Sequence, residues 1–121
     1  MFSRLKKKRL NAIKKDFQTD SFEIVDNMAN FAGIKSKGYS QIRGNGVLAL
    51  TREYLIFYMW LPQRKFVIPR QSISKVEQVK SFLGKFRAIP LMQITFLNSN
   101  GFQDKMAWWV LDLNAWLGRL M

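Results

Sequence analysis

The segment 91–111, LMQITFLNSNGFQDKMAWWVL, predicts a β-hairpin. Its first part places Met92, Ile94 and Phe96 at every second position, which is the period of a strand with one buried face. Asn100-Gly101 follows, and this pair is preferred in tight hairpin turns because both central positions adopt positive φ. The chain then returns as a second strand. We therefore expect two antiparallel strands in the last third of the sequence.

Upstream of this hairpin, short apolar runs alternate with turn residues, as in small antiparallel β-proteins. Strands are predicted at 47–51 and 55–59, followed by a short one at 66–68 that a proline ends. A weaker strand is predicted at 73–79. Residues 81–90 are expected to form a basic loop.

The last element changes to a helical period. Asp112 is placed to cap its N-terminus. Four apolar residues follow the i, i+3, i+4, i+7 spacing of an amphipathic helix: Leu113, Trp116, Leu117 and Leu120. A terminal helix commonly covers the open end of a small sheet. The predicted fold is mainly β: a partly open antiparallel barrel of six or seven strands, capped by this C-terminal helix and plugged by Trp116.

The composition narrows the class of function. The chain has 121 residues, 20 Lys and Arg against 8 Asp and Glu, no Cys and no His. Without Cys and His, thiolate zinc sites, Cys nucleophiles, the commonest general base and the commonest transition-metal ligand are all missing. We expect no enzyme and no cofactor. A net charge of +12 predicts an acidic partner.

More than half of this net charge lies in residues 1–15, which contain no acid. The region 1–27 is predicted to be a basic amphipathic helical extension, and 28–121 the folded domain. The seven basic residues expected to bind an anionic surface are Arg4, Lys6, Lys7, Lys8, Arg9, Lys14 and Lys15. The apolar residues on the opposite face are Phe2, Leu5, Leu10, Ile13 and Phe17, with Lys6 and Arg9 intruding on that side.

Three interpretations of this extension remain open, of which contact with nucleic acid has the least support. A basic amphipathic helix suits an anionic membrane, with Phe2 and Leu5 entering the interface. The same pattern suits docking of the apolar face onto the domain, with solvated lysines outside.

The strand pattern resembles a known family. GNGVLALT at 44–51, with Leu55-Ile56-Phe57 close behind, resembles the second and third strands of PH-like domains of the GRAM and bacterial PH type. FVIPRQSISKV at 66–76 is similar to the strand, Ile-Pro, polar stretch, Ile and Val passage of GRAM-like domains. The resemblance covers about residues 28–121. It implies a non-catalytic module that binds phosphoinositides, other acidic lipids or protein segments.

The resemblance also implies positions for basic residues. Lys35 or Lys37 could stand for the first-strand lysine of phosphoinositide-binding PH domains, and Arg43 for the first basic residue of the second strand. Asn45 occupies the position of the next basic residue. We therefore expect diffuse attraction to an anionic surface rather than recognition of one headgroup.

A predicted hairpin tip supplies further candidates. Trp60, with Arg64 and Lys65 nearby, is a candidate membrane or partner contact, the alternative being packing against a neighbouring loop. Adjacent Trp108 and Trp109 must point to opposite faces of a strand, so one enters the core and the other is either covered by the C-terminal helix or exposed.

Taken together, the sequence predicts a module that attaches reversibly to anionic membrane or docks a protein. Two alternatives are a self-assembly or protein-interaction module without lipid binding and, with less support, a non-specific nucleic-acid binder. With neither a signal peptide nor a predicted transmembrane segment, we expect a cytoplasmic protein, at most peripheral at the inner face of the membrane.

Overall fold

The computed structural model describes residues 3–38 and 41–120, in which helices and strands follow one another along the chain. They are α1 (Ser3–Phe17), β1 (Ile24–Ile34), β2 (Gly44–Leu50), β3 (Tyr54–Met59), β4 (Lys65–Pro69), β5 (Ile73–Phe82), β6 (Lys85–Leu97), β7 (Gln103–Trp109) and α2 (Leu113–Leu120). Short 3-10 turns lie at Lys35–Lys37 and Arg70–Ser72.

The seven strands form one antiparallel sheet in the order β4-β3-β2-β1-β7-β6-β5. Pairing of β1 with β7 joins the first four strands to the last three. The edge strands β4 and β5 are consecutive in the chain but lie at opposite ends of this order. The sheet therefore curls into a half-barrel whose two edges are linked covalently through Arg70–Ser72. The prediction of a mainly β fold of six or seven antiparallel strands with a C-terminal helix is confirmed, with seven strands in residues 3–38 and 41–120.

The concave side of the half-barrel holds the main core. Phe31, Phe57 and Trp108 pack there with ring centroids 5.3–6.0 Å apart. Trp116 of α2 is 1% exposed and belongs to the same cluster. The Asp112 carboxylate accepts a hydrogen bond from the Ala115 N–H at 3.1 Å, which confirms the predicted helix cap.

The expected basic loop at 81–90 is wrong. These residues continue β5 and begin β6, with a tight turn at Leu83 and Gly84, whose φ angles are +49° and +74°. The alternation that marks a strand is broken because the register shifts: Val79 pairs with Leu91 while Ser81 pairs with Phe86. Four residues of β6 thus stand opposite one residue of β5, and such a bulge hides the period of the strand.

The first strand begins before the predicted start of the folded domain. β1 starts at Ile24, so the predicted boundary between residues 27 and 28 falls inside it. A bulge between Asp26 and Ala29 interrupts its alternation. The buried Asp26 carboxylate accepts hydrogen bonds of 2.7 Å from the N–H groups of Met28 and Leu111, which ties this bulge to the segment after β7.

Candidate binding surface

α1 lies on the convex side of the sheet, over β2 and β3. Ile13 is fully buried against Val47 and Ala49 of β2 and Ile56 of β3. Leu5, Leu10 and Phe17 pack against the same cluster, which also contains Tyr58 and Trp60. The apolar face of the helix is therefore occupied by the sheet, as the docking interpretation requires.

Arg9 lies on this docked side and is only 5% exposed. Its Nε–H donates to the Met59 carbonyl at 2.9 Å and its Nη2–H to the Trp60 carbonyl at 2.7 Å. The guanidinium therefore pairs with backbone at the end of β3 and is not presented to an external anion. The helical period places Arg9 on the apolar side of α1, and this position, not its charge, predicts that the side chain is buried.

Trp60 and Leu5 are buried or half-buried rather than presented for contact. Trp60 is 4% exposed beneath α1, and the Lys6 ammonium lies 5.7 Å from its ring centroid. Leu5 packs against the same cluster. Trp60 is therefore packed within the protein, but beneath α1 and not against a neighbouring loop as the alternative had it. Phe2, the other apolar candidate, lies outside the described residues.

The C-terminal end of α1 is fixed by a polar cluster. The Asp16 carboxylate accepts hydrogen bonds from the Tyr58 hydroxyl and, at 3.1 Å, from the Lys65 ammonium. These bonds, that from Tyr58 first, hold the pKa of Asp16 below its ordinary value. Burial, and then the same hydrogen bond, raises the pKa of Tyr58. Lys65 is therefore engaged with this acid and with the Tyr58 ring, 4.9 Å away.

The outward side of α1 keeps the remaining basic residues. We call this set the α1 basic face: Arg4, Lys7, Lys8, Lys14 and Lys15, of which all but the half-buried Lys14 are exposed. Arg4, Lys8 and Lys15 follow a spacing of four and seven residues, which places them along one stripe of the helix. Asp16, the acid nearest in sequence, is already paired with Lys65. The described part of α1 therefore presents a group of positive charges to solvent on this face.

The candidates near the β1–β2 and β3–β4 loops are not gathered into one site. Lys35 and Lys37 are exposed on the turn that follows β1. Arg43 is half-buried, and its guanidinium donates to the Ala32 carbonyl at 2.7 Å and to the Gln41 carbonyl at 3.2 Å. Arg64 packs over the Phe66 ring at 5.0 Å. Arg43 therefore holds the loop before β2 in place. It does not join Lys37 as a second cation in a site for a lipid headgroup.

A groove of about 460 Å³ lies between β4 and the β6–β7 turn. Its lining mixes Lys37 with the carboxylate of Asp104 and with apolar residues such as Phe66 and Val67. The Asp104 carboxylate accepts hydrogen bonds from the N–H and hydroxyl groups of Ser36. A carboxylate in the lining makes this groove a poorer anion site than the α1 basic face.

Sequence reasoning missed a second surface on the convex side. Trp109 is neither covered by α2 nor exposed to solvent. It packs with Ala32, Phe82 and Ala107, and the Arg87 guanidinium lies 4.3 Å from its ring centroid. The available signal was the absence of acids from residue 78 to residue 103, a segment that contains three basic residues. From this segment the sequence predicts a basic loop at 81–90 and no surface.

Two classes of feature are missing from the parts of the chain that the structure describes. Residues 3–38 and 41–120 hold no group of three acids that could bind a metal ion. Within the same residues, neither helix has the length and apolar character needed to cross a bilayer.

Comparison with known proteins supplies a fold neighbour. No family model matches the chain, and no curated protein matches it. Among solved structures it is similar to the C-terminal domain of an unknown protein from Leishmania infantum, with a TM-score of 0.64 over 95% of this chain and 94% of that one. The two sequences are 14% identical, so the likeness concerns the fold alone.

Proposed function

We propose that this chain is a non-catalytic, PH/GRAM-like binding module that attaches reversibly to anionic membrane surfaces through the α1 basic face. The PH/GRAM-like part rests on the strand pattern of residues 44–76, together with a seven-stranded half-barrel covered by a C-terminal helix. The membrane part rests on one observation: α1 is docked by its apolar side, so its remaining cations point outward as a group.

This geometry favours electrostatic attachment over insertion. Leu5 and Trp60 are occupied in the cluster under α1, so insertion of those side chains would first require the helix to leave the sheet. Each exposed Lys or Arg near an anionic leaflet contributes about 1 kcal/mol. The four exposed cations of the α1 basic face, Arg4, Lys7, Lys8 and Lys15, together contribute about 4 kcal/mol, of the order of the marginal, reversible binding of a single myristoyl chain.

Such attachment depends on salt and on leaflet. The cytoplasmic leaflet carries the anionic lipids that attract polybasic segments, and we place the contact there. The attraction falls off within a Debye length of about 8 Å at physiological ionic strength, so added salt weakens it.

The test is vesicle co-sedimentation with matched pairs of substitutions. Lys7→Ala combined with Lys8→Ala removes two exposed cations from α1 and leaves the docked side intact. Arg52→Ala combined with Arg119→Ala removes two exposed cations elsewhere and is the control. With phosphatidylcholine vesicles containing about one-third phosphatidylserine, the first pair should lower the partition coefficient by about 10- to 30-fold, the effect of roughly 2 kcal/mol. Equal losses in both pairs would refute the assignment to α1.

The substitutions are preferable to deletion of α1. Removal of the helix would expose the cluster formed by Val47, Ile56 and Trp60, which is buried beneath it. A contiguous apolar patch of that kind promotes non-specific association with membranes and with other proteins. Loss or gain of vesicle binding in a deletion variant would therefore not report on the α1 basic face.

A further inference from the structure

The hairpin of β5 and β6 carries a basic surface of its own. From residue 78 to residue 103 the sequence has no acid. Its three cations, Lys80, Lys85 and Arg87, are all exposed and lie close to the Leu83-Gly84 turn. A surface with cations and no anions attracts negatively charged partners.

The register shift shapes this surface. Lys80 of β5 stands opposite the four residues 87–90 of β6. Between them lies a hollow of about 510 Å³, lined by Lys80, Ser81, Arg87 and Ile89 among others. Ile89 is 54% exposed, and its neighbours in the strand, the exposed Ala88 and the half-buried Pro90, are also apolar. Two cations and an apolar side chain therefore border the same open hollow.

The hairpin is held in place by contacts on the convex side of the sheet. The Trp109 Nε1–H donates to the Ile89 carbonyl at 3.2 Å, and the Arg87 guanidinium lies over the Trp109 ring. Phe82, 5% exposed, packs with Ala32 and the same tryptophan. The cations are therefore carried by a packed scaffold, which lowers the entropy lost when a ligand is bound.

This hairpin and α1 lie on the same side of the sheet. Phe31 and Trp108 point into the concave core, so their neighbours Ala32 and Trp109 point to the convex side. Val47 and Ala49, beneath α1, alternate in the same way with the core residue Leu48. Only β1 lies between β2, under α1, and β7, under the hairpin. The two basic surfaces are thus neighbours on one face.

We propose that the bulge of the β5–β6 hairpin is a second contact with the anionic bilayer, in which Lys80 and Arg87 bind lipid phosphate or carboxylate groups and Ile89 enters the interface. This inference rests on the proposed function, because it assigns a second part of the same membrane-facing side. The occupant is a lipid surface because charge complementarity is combined with an exposed apolar side chain and with the adjacent α1 basic face.

The first test uses the absence of cysteine from the chain. Ile89→Cys creates a unique thiol that can carry an environment-sensitive fluorophore. Leu97→Cys, at an equally exposed position eight residues along β6 and roughly 25 Å away, is the matched control. With vesicles containing phosphatidylserine, the label at position 89 should shift to shorter wavelength and that at position 97 should not. A shift at both positions, or at neither, would overturn the proposed contact.

The second test measures the contribution of the cations. Lys80→Ala combined with Arg87→Ala should lower the partition coefficient about 10-fold or more, whereas the control pair at Arg52 and Arg119 should change it about twofold at most. If the hairpin pair equals the control while the α1 pair still reduces binding, the hairpin assignment is wrong and the proposed function stands. If the unmodified chain binds no anionic vesicles, both are refuted.

Discussion

The docking of α1 depends on Arg9. A variant that lacks the Arg9 side chain should unfold at a markedly lower denaturant concentration than the unmodified protein. In Arg9→Ala, the carbonyls of Met59 and Trp60 lose their two charge-assisted hydrogen bonds in a site that is 5% exposed at Arg9. Taking about 1.5 kcal/mol for each bond, the lower end of the range because the guanidinium is itself desolvated, the loss is about 3 kcal/mol.

Urea unfolding followed by tryptophan fluorescence measures this loss. With an m value of about 1.5 kcal/mol/M, typical of small proteins, the midpoint should fall by about 2 M. Lys8→Ala, at the neighbouring exposed position, removes the same charge and should change the free energy of unfolding by less than about 0.5 kcal/mol. Arg9→Lys retains the charge but not the fork of donors, so it should fall between the two. Equal midpoints for the alanine variants at Arg9 and Lys8 would refute the structural role of Arg9.

Three further predictions concern the sheet and its helix. Ile13→Ala should lower the free energy of unfolding by about 2–4 kcal/mol in the same urea assay because Ile13 is fully buried under α1, and a loss below about 1 kcal/mol would contradict that burial. Gly46→Ala should lower the thermal midpoint strongly, since an added Cβ would lie 2.5 Å from the Tyr58 carbonyl oxygen and 2.7 Å from the Phe57 ring; an unchanged melting temperature would speak against this close approach. The pKa of Asp16 in the folded protein lies below the unfolded value of about 3.9, so Asp16 stabilises the fold above pH 4 and loses this contribution as the pH falls through the folded pKa. Asp16→Asn should therefore flatten the acid limb of a plot of unfolding free energy against pH. Parallel profiles for the two proteins would argue against this role.

Local signals were sufficient for the C-terminal third of the fold. The strand at 91–97 and the capped helix at 113–120 each rest on residues within a few positions of one another. The Asn100-Gly101 pair marked the place of the turn but not its type: only Gly101 has a positive φ, +83°, and its N–H donates to the Asn98 carbonyl. The bulges were not predictable in this way. Opposite Lys80 and between Asp26 and Ala29, the period of the strand is interrupted, so the sequence reads as a loop although the chain remains paired.

The candidate site shows the same division. The cationic character of α1 and its amphipathic period could be read directly from the first 17 residues. The sequence could not show which of these cations point to solvent, because that depends on the groups of the sheet beneath the helix. These are two backbone carbonyls for Arg9 and an aromatic ring for Lys6. Likewise Trp109 finds its cover in a hairpin more than 20 residues away in sequence, at Phe82 and Arg87.

The measurement that tests the central claim most directly is a vesicle titration of the unmodified full chain, in which the phosphatidylserine fraction is varied at low and at physiological salt. Attachment through an outward basic face predicts a partition coefficient that rises with the anionic fraction, falls with added salt and is negligible on phosphatidylcholine alone. Binding that is equal on neutral and anionic vesicles, or that is missing even at low salt on the most anionic vesicles, would contradict it.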